Sequence, residues 1–234
     1  MVDFGESVAA ASLSLARRFA NGATMWCVAP AWPEHARHVA VEFVHPVLVG
    51  KRALPAVSVE SIDAVGALRS LVRSGDVVLA ISDRESNAVA DVMRRAEAWG
   101  VGTMWIGVGP KPPDGAADHV VWVDDDVTEG GRSPAIHDGR LVLLYHVLWE
   151  MTHVCFEHPG LLSATGDESC DDNETCITCS DEGRVGEVIA NADGTRARVR
   201  TARGIETIDT TMVADVSPGD LVLIHAGTAI SEIP

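Results

Sequence analysis

At 234 residues, with 47% hydrophobic and 22% charged side chains, the chain carries enough apolar material for one medium and one small core and too much for general disorder. Eighteen Lys and Arg stand against 34 Asp and Glu, a formal net charge of −16 whose mean field repels a phosphate backbone, so nucleic acid is not an expected partner. No apolar run reaches the roughly 20 residues of a membrane span, and the opening MVDFGESVAAASLSLARRFANG lacks a basic n-region and a small-residue cleavage site. A cytoplasmic protein without membrane contact is expected. Five cysteines, odd in number for a cytosolic chain, point to metal or thiolate chemistry rather than a disulfide framework, and three cluster at Cys170, Cys176 and Cys179.

In chain order, Val8, Leu13, Leu15, Ala16 and Phe19 predict a first helix over 6–20, stopped by Asn21-Gly22. A buried strand at 24–29 follows, then a helix over 34–44 that carries His38 and Glu42 one turn apart. A short strand at 56–59 and a helix over 62–74 lead to Val77-Val78-Leu79-Ala80-Ile81-Ser82, an apolar run of the kind found in parallel strands covered on both faces. After the polar loop 83–87 come a helix over 88–99, a strand over 102–108, a Pro/Gly loop over 109–115, a strand over 119–123 and a long helix over 139–157. Strand and helix taking turns across short loops predict a doubly wound, mostly parallel α/β sheet for residues 1–162.

Residues 163–182 hold Asp167, Glu168, Asp171, Asp172, Glu174, Asp181 and Glu182 and no basic residue, so an acidic, cysteine-bearing linker is expected over 163–179. From Arg184 the pattern turns to alternation, with Asp193-Gly194 as a hairpin signal and Pro218-Gly219-Asp220 before Leu221-Val222-Leu223-Ile224-His225. About five short strands predict a small OB-like β-barrel over 180–234.

Cys179, Gly183-Arg184-Val185 and the closing run Pro218-Gly219-Asp220-Leu221-Val222-Leu223-Ile224-His225-Ala226-Gly227-Thr228-Ala229-Ile230 resemble the hydrogenase-formation chaperone family HypC/HupF. The resemblance covers about 176–233. It implies a barrel that helps assemble or deliver the iron centre of nickel-iron hydrogenases and carries an iron fragment transiently. Its implied partners are an iron-sulfur maturation scaffold protein and the hydrogenase large-subunit precursor. Family members place the cysteine directly after the initiator Met, in a Cys-x-x-x-Pro-Gly context; here the barrel follows another domain, the proline is missing, and Cys176 and Cys179 share a Cys-Ile-Thr-Cys motif. Cys179, by its distance to Gly183, is the expected ligand, with Cys176 and His225 as further candidates. Thiolate and imidazole together suit a soft or borderline iron fragment.

His38-Val39-Ala40-Val41-Glu42-Phe43, Leu54-Pro55-Ala56-Val57, the 74–82 run, Asn87, Ala116-Ala117-Asp118-His119-Val120 and His146 resemble SIS sugar-isomerase domains of the phosphoheptose isomerase branch, over about 5–158. That resemblance implies Glu42 as base and His146 as its helper in an aldose-ketose proton transfer, and Ser82, Ser86 and Asn87 at the sugar phosphate. It also implies association into homo-oligomers. Two loops depart from the pattern. The first phosphate loop reads Ala29-Pro30-Ala31-Trp32-Pro33, and the second, Ser82-Asp83-Arg84-Glu85-Ser86-Asn87, carries two acidic side chains. Lost or altered isomerase activity is therefore expected, with a sugar-phosphate isomerase or sugar-phosphate-binding regulator as the alternative function.

A metal site is a further expectation. Some members of the branch hold zinc through the equivalents of His38, Glu42 and His146, plus a glutamine whose place Asp138 takes here; zinc or ferrous iron suits such ligands. His146, Glu150, His153 and Glu157 also form a stripe at helical spacing.

Overall fold

The computed structural model describes residues 4–83, 86–123, 139–163, 183–213 and 215–234, and of Arg140 the backbone only. The described residues fall into two compact units, those of 1–94 with 102–163 and those of 95–101 with 164–234.

The first unit begins with α1 (Phe4–Ala20), whose Val8, Ala11, Leu15 and Phe19 form a buried stripe at helical spacing. Gly22, at φ 86°, ends it in the left-handed conformation that costs a glycine least. Then follow β1 (Met25–Val28), α2 (Pro33–Val44), β2 (Ala56–Val59), α3 (Ala64–Leu71), β3 (Val77–Ile81), α4 (Asn87–Trp99), β4 (Gly102–Val108), β5 (His119–Val123) and α5 (Gly139–Glu157). The five strands form one parallel sheet in the order β2-β1-β3-β4-β5. Every residue of β3 and β4 is buried, as expected of central strands covered on both faces. One face supplies Met25, Cys27, Leu79, Ile81, Met104 and Ile106 to a single core with Leu15 of α1, Phe43 of α2 and Leu141, Tyr145 and Leu148 of α5. The doubly wound parallel sheet matches the expectation from sequence.

Two elements are shorter at both ends than expected. The helix expected over 62–74 is α3, because the Asp63 carboxylate accepts the Gly66 N–H at 2.8 Å and caps its start, while Val72 turns to extended backbone at its end. The strand expected over 24–29 stops at Val28, since the Ala29 carbonyl turns to accept the Trp32 N–H at 3.0 Å.

Asp76, buried ahead of β3, accepts three donors: Thr24 N at 2.8 Å, the Trp26 indole at 2.9 Å and Arg73 N at 3.0 Å. It thereby sets the start of β1 against the start of β3.

The second unit holds β6 (Arg184–Asp193), β7 (Arg196–Thr201), β8 (Gly204–Asp209), β9 (Leu221–His225) and β10 (Thr228–Ile233), closed into a barrel in the order β10-β8-β7-β6-β9. The closing contact is one parallel pair, Thr228 of β10 with Asp209 of β8. Val188, Val199, Ile208, Val222 and Ile224 fill its interior. A Cβ on Gly186 would lie 2.5 Å from the end of Ile224, so the glycine lets β9 pack inward against β6. The β9–β10 turn is Ala226-Gly227, at φ 48° and 79°, the positive pair that a tight two-residue hairpin demands.

Asp76→Ala leaves three donors without their acceptor and is expected to cost about 3 kcal/mol in urea unfolding of the α/β unit. In the barrel, the Arg184 guanidinium reaches Glu206 at 3.1 and 2.6 Å, and that bond holds the Glu206 carboxyl below its usual range. The pair's contribution is complete above about pH 4.3, the unfolded value, and is lost as pH falls through the lower folded one. Arg184→Met should therefore weaken amide-exchange protection of the barrel strands at neutral pH, by up to about 1 kcal/mol. The difference from wild type should fade on acidification.

Candidate metal centre

The site grows out of the end of α2. A helix leaves its last carbonyls without intrahelical partners, and here the N–H that would meet the Glu42 carbonyl belongs to Pro46, which has none. The Trp149 indole of α5 supplies the missing donor at 2.8 Å, and Leu54 N does the same for Phe43 at 2.8 Å. These bonds set α2 in register with α5, and that register brings His38 and Glu42 to face His146.

The Glu42 Oε1 lies 3.3 Å from His38 Nε2 and 3.5 Å from His146 Nε2. The three ligand atoms all lie within 4.8 Å of one another, and no other group of three such side chains does so among the described residues. Side-chain exposures of 42%, 19% and 36% for His38, Glu42 and His146 leave the cluster open on one side.

Tautomers decide what the cluster can do. His146 Nδ1 sits 2.7 Å from the Val142 carbonyl, which only accepts, so Nδ1 carries the proton. In the neutral ring, Nε2 is then a bare lone pair aimed at a carboxylate. Acceptor faces acceptor, an arrangement satisfied by a proton or a cation placed between them. Two imidazoles and one carboxylate with an open fourth side are a donor set that zinc or ferrous iron takes. The residues present fit such an ion.

Behind His38 stands Tyr145, a fully buried side chain whose hydroxyl lies 2.8 Å from His38 Nδ1 and 3.4 Å from His35 Nδ1. Burial first, and then the Glu42 charge, push the Tyr145 hydroxyl up to about 12, so it stays protonated. Neither Tyr145 nor His35 stood out in the sequence: their value depends on which side of each helix faces the other.

The rest of the α5 stripe turns away from the centre. Lys51 reaches Glu150 at 3.0 Å and Glu157 at 2.8 Å, and the buried His153 points Nδ1 at the Trp149 carbonyl, 2.9 Å, and Nε2 at the Arg52 carbonyl, 3.0 Å. Asp138, Cys170, Cys176 and Cys179 lie outside the described residues.

The sheet order reverses between β1 and β3, so the loops leaving these two strands part at the carboxyl edge, where this fold places its ligands. After β1, Trp32 is buried and its N–H is bonded to Ala29, while Pro33 has no N–H to offer. After β3, the buried Ser82 hydroxyl donates to the Asp83 carbonyl at 2.8 Å and accepts the Trp105 indole at 2.9 Å. Ser86 Oγ accepts Val89 N at 3.4 Å, and Asn87 is the first residue of α4. In the barrel, His225 is half-buried at the end of β9, paired with Thr228 across the Ala226-Gly227 turn.

The first unit thus has the fold of the SIS sugar-isomerase domains. A phosphoheptose isomerase from Francisella tularensis shares it at TM-score 0.54 and 13% identity, over 63% of this chain and 85% of that one. A Bacteroides fragilis protein described as a phosphosugar isomerase involved in capsule formation does so at TM-score 0.52 and 15% identity, over 67% and 81%. Identities this low establish the fold alone. Residues 183–234 match the sequence model of the HupF/HypC family. No curated protein matches the chain.

Removing one ligand tests the centre. Zinc titration against a chromophoric chelator should find one ion per chain, and His146→Ala should weaken binding by at least about a hundredfold, the loss of one of three ligands. Its ion-free melting temperature should stay close to that of the wild type.

Proposed function

We propose that the protein is a hydrogenase-maturation factor that helps assemble or deliver the iron centre of a nickel-iron hydrogenase. The observation that carries this reading is the match of residues 183–234 to the HupF/HypC family, on a closed barrel that ends in the His225 hairpin. In this reading the iron fragment is cargo. Cys179, with Cys176 beside it, supplies thiolate to that cargo, and His225 supplies imidazole. The partners are an iron-sulfur maturation scaffold and the hydrogenase large-subunit precursor, met in the cytoplasm. Among the described residues no helix is long and apolar enough to cross a membrane.

The α/β unit serves as an association and binding platform, and His38, Glu42 and His146 hold zinc or ferrous iron there. When bound, the ion would act as a Lewis acid or as a structural clamp between α2 and α5. Glu42 Oε1 faces both imidazoles, and the open side of the cluster admits a further ligand.

A second reading, a sugar-phosphate isomerase or sugar-phosphate-binding regulator, is favoured by one observation: Glu42 and His146 stand 3.5 Å apart, as a base and its helper would. The Trp32 backbone N–H, taken by the Ala29 carbonyl, and the engaged Ser82 hydroxyl weigh against it, since both donors are already used.

Anaerobic purification of the tagged protein from its native cells, with iron counted and partners identified, tests the main reading. Iron and a maturation scaffold should accompany the wild type and be lost with Cys179→Ala. Partners and iron indifferent to both Cys179→Ala and Cys176→Ala, together with heptose-phosphate turnover abolished by Glu42→Gln, would instead establish the isomerase.

A further inference from the structure

The hydroxyl of Tyr145 has two imidazoles to serve and one proton to give. His38 Nδ1 lies at 2.8 Å and His35 Nδ1 at 3.4 Å. A hydroxyl can donate to one of them while accepting from the other. Which way it points determines which nitrogen of His38 carries the proton, and hence whether His38 Nε2 meets Glu42 as an N–H or as a lone pair. For His146 this choice is already made, because the Val142 carbonyl can only accept. For His38 it is open.

We propose that Tyr145, backed by His35, is the positioning residue of the α2–α5 centre: by choosing between two histidine acceptors, it lets His38 pass between an ion-free and an ion-binding tautomer. The inference rests on the reading of His38, Glu42 and His146 as an ion site. Without an ion, the Tyr145 O–H donates to His38 Nδ1, and His38 Nε2–H donates to Glu42 Oε1. With an ion, Tyr145 donates to His35 Nδ1 instead and its oxygen accepts His38 Nδ1–H, so that His38 Nε2 turns a lone pair to the ion. The protons balance. One leaves His38 Nε2 for water and one enters His38 Nδ1 from water, while Tyr145 and His35 keep theirs.

Three features support this assignment over a purely structural role. Tyr145 is fully buried, and a buried hydroxyl without partners is costly, so its proton goes to one imidazole or the other in either state. His35 is itself buried at 5% exposure, on α2 one turn before His38, and turns Nδ1 to within 3.4 Å of the hydroxyl. The rings also stand edge to face, with centroids 5.9 Å apart for His35 and Tyr145 and 5.2 Å for His38 and Tyr145, so one tyrosine packs against both imidazoles. A neutral hydroxyl behind a ligand histidine, where a carboxylate would raise the ligand's basicity further, favours an ion that is held and released rather than locked in.

Tyr145→Phe keeps the ring and its packing and removes only the hydroxyl. Zinc alone, titrated into the full chain against a chromophoric chelator, should bind the wild type at one ion per chain and Tyr145→Phe about 10- to 100-fold more weakly, the range for a lost partner behind a ligand. The ion-free melting temperatures should stay close. Nitrogen-15 spectra of histidine-labelled wild type should show His38 protonated at Nε2 without zinc and at Nδ1 with it, a change that needs no variant and that a structural tyrosine would not produce. Zinc bound equally by wild type and Tyr145→Phe, or a His38 that keeps one tautomer throughout, would overturn the role of Tyr145 and leave the centre standing. A wild type that binds no zinc, while correctly folded, would overturn the centre and this inference with it.

Discussion

The candidate centre depends on the register of α2 against α5. That register follows from a backbone deficit: Pro46 withholds the N–H that the Glu42 carbonyl would otherwise meet, and the Trp149 indole takes its place. The same contact brings α5 in at the height where Tyr145 reaches His38 and His146 reaches Glu42. Moving α5 by one turn would carry these groups about 5.4 Å past their partners. An orphaned helix carbonyl, satisfied from a second helix, thus becomes the positioning device for a cluster of polar side chains.

The α/β unit gathers different groups at its two candidate ligand sites. Where the doubly wound fold receives ligands, at the parting of the β1 and β3 loops, this chain places a buried indole, a proline and a serine already engaged on both sides. Of the described amides, that of Trp32 is taken by the Ala29 carbonyl and that of Ser82 by the Ile106 carbonyl. On the α2–α5 side, two imidazoles gather about one carboxylate, and the overall charge of −16 adds a mean field that draws cations. The unit has the fold of the SIS sugar-isomerase domains, with two imidazoles and a carboxylate gathered between α2 and α5.

The barrel shows a different economy. It is small, so it relies on closure, on the close approach of Ile224 over Gly186, and on a hairpin whose Ala226-Gly227 pair accepts positive φ. The hairpin carries His225, an imidazole half-buried at the end of β9. Fold and candidate ligand share the same turn.

Much of this was legible from the sequence. Apolar runs bounded by turn residues gave the parallel sheet, alternation with Asp193-Gly194 gave the barrel, and the spacing of His38 and Glu42 put both on one helical face, because backbone periodicity depends on local chain geometry. The identity of their partner His146 came from resemblance, not from spacing. The stripe His146, Glu150, His153 and Glu157 was regular in sequence, yet only its first member joins the centre, since Lys51 and the Arg52 carbonyl arrive from a loop about 100 residues away and engage the others. Tyr145 and His35 escaped notice for the same reason. A hydroxyl or an imidazole gains its role from the acceptor it meets, and that acceptor lies on another element. The sequence determined which elements form and which faces they bury; only tertiary packing decided which nitrogens, oxygens and carbonyls meet, because those meetings depend on the relative height and rotation of helices far apart in the chain.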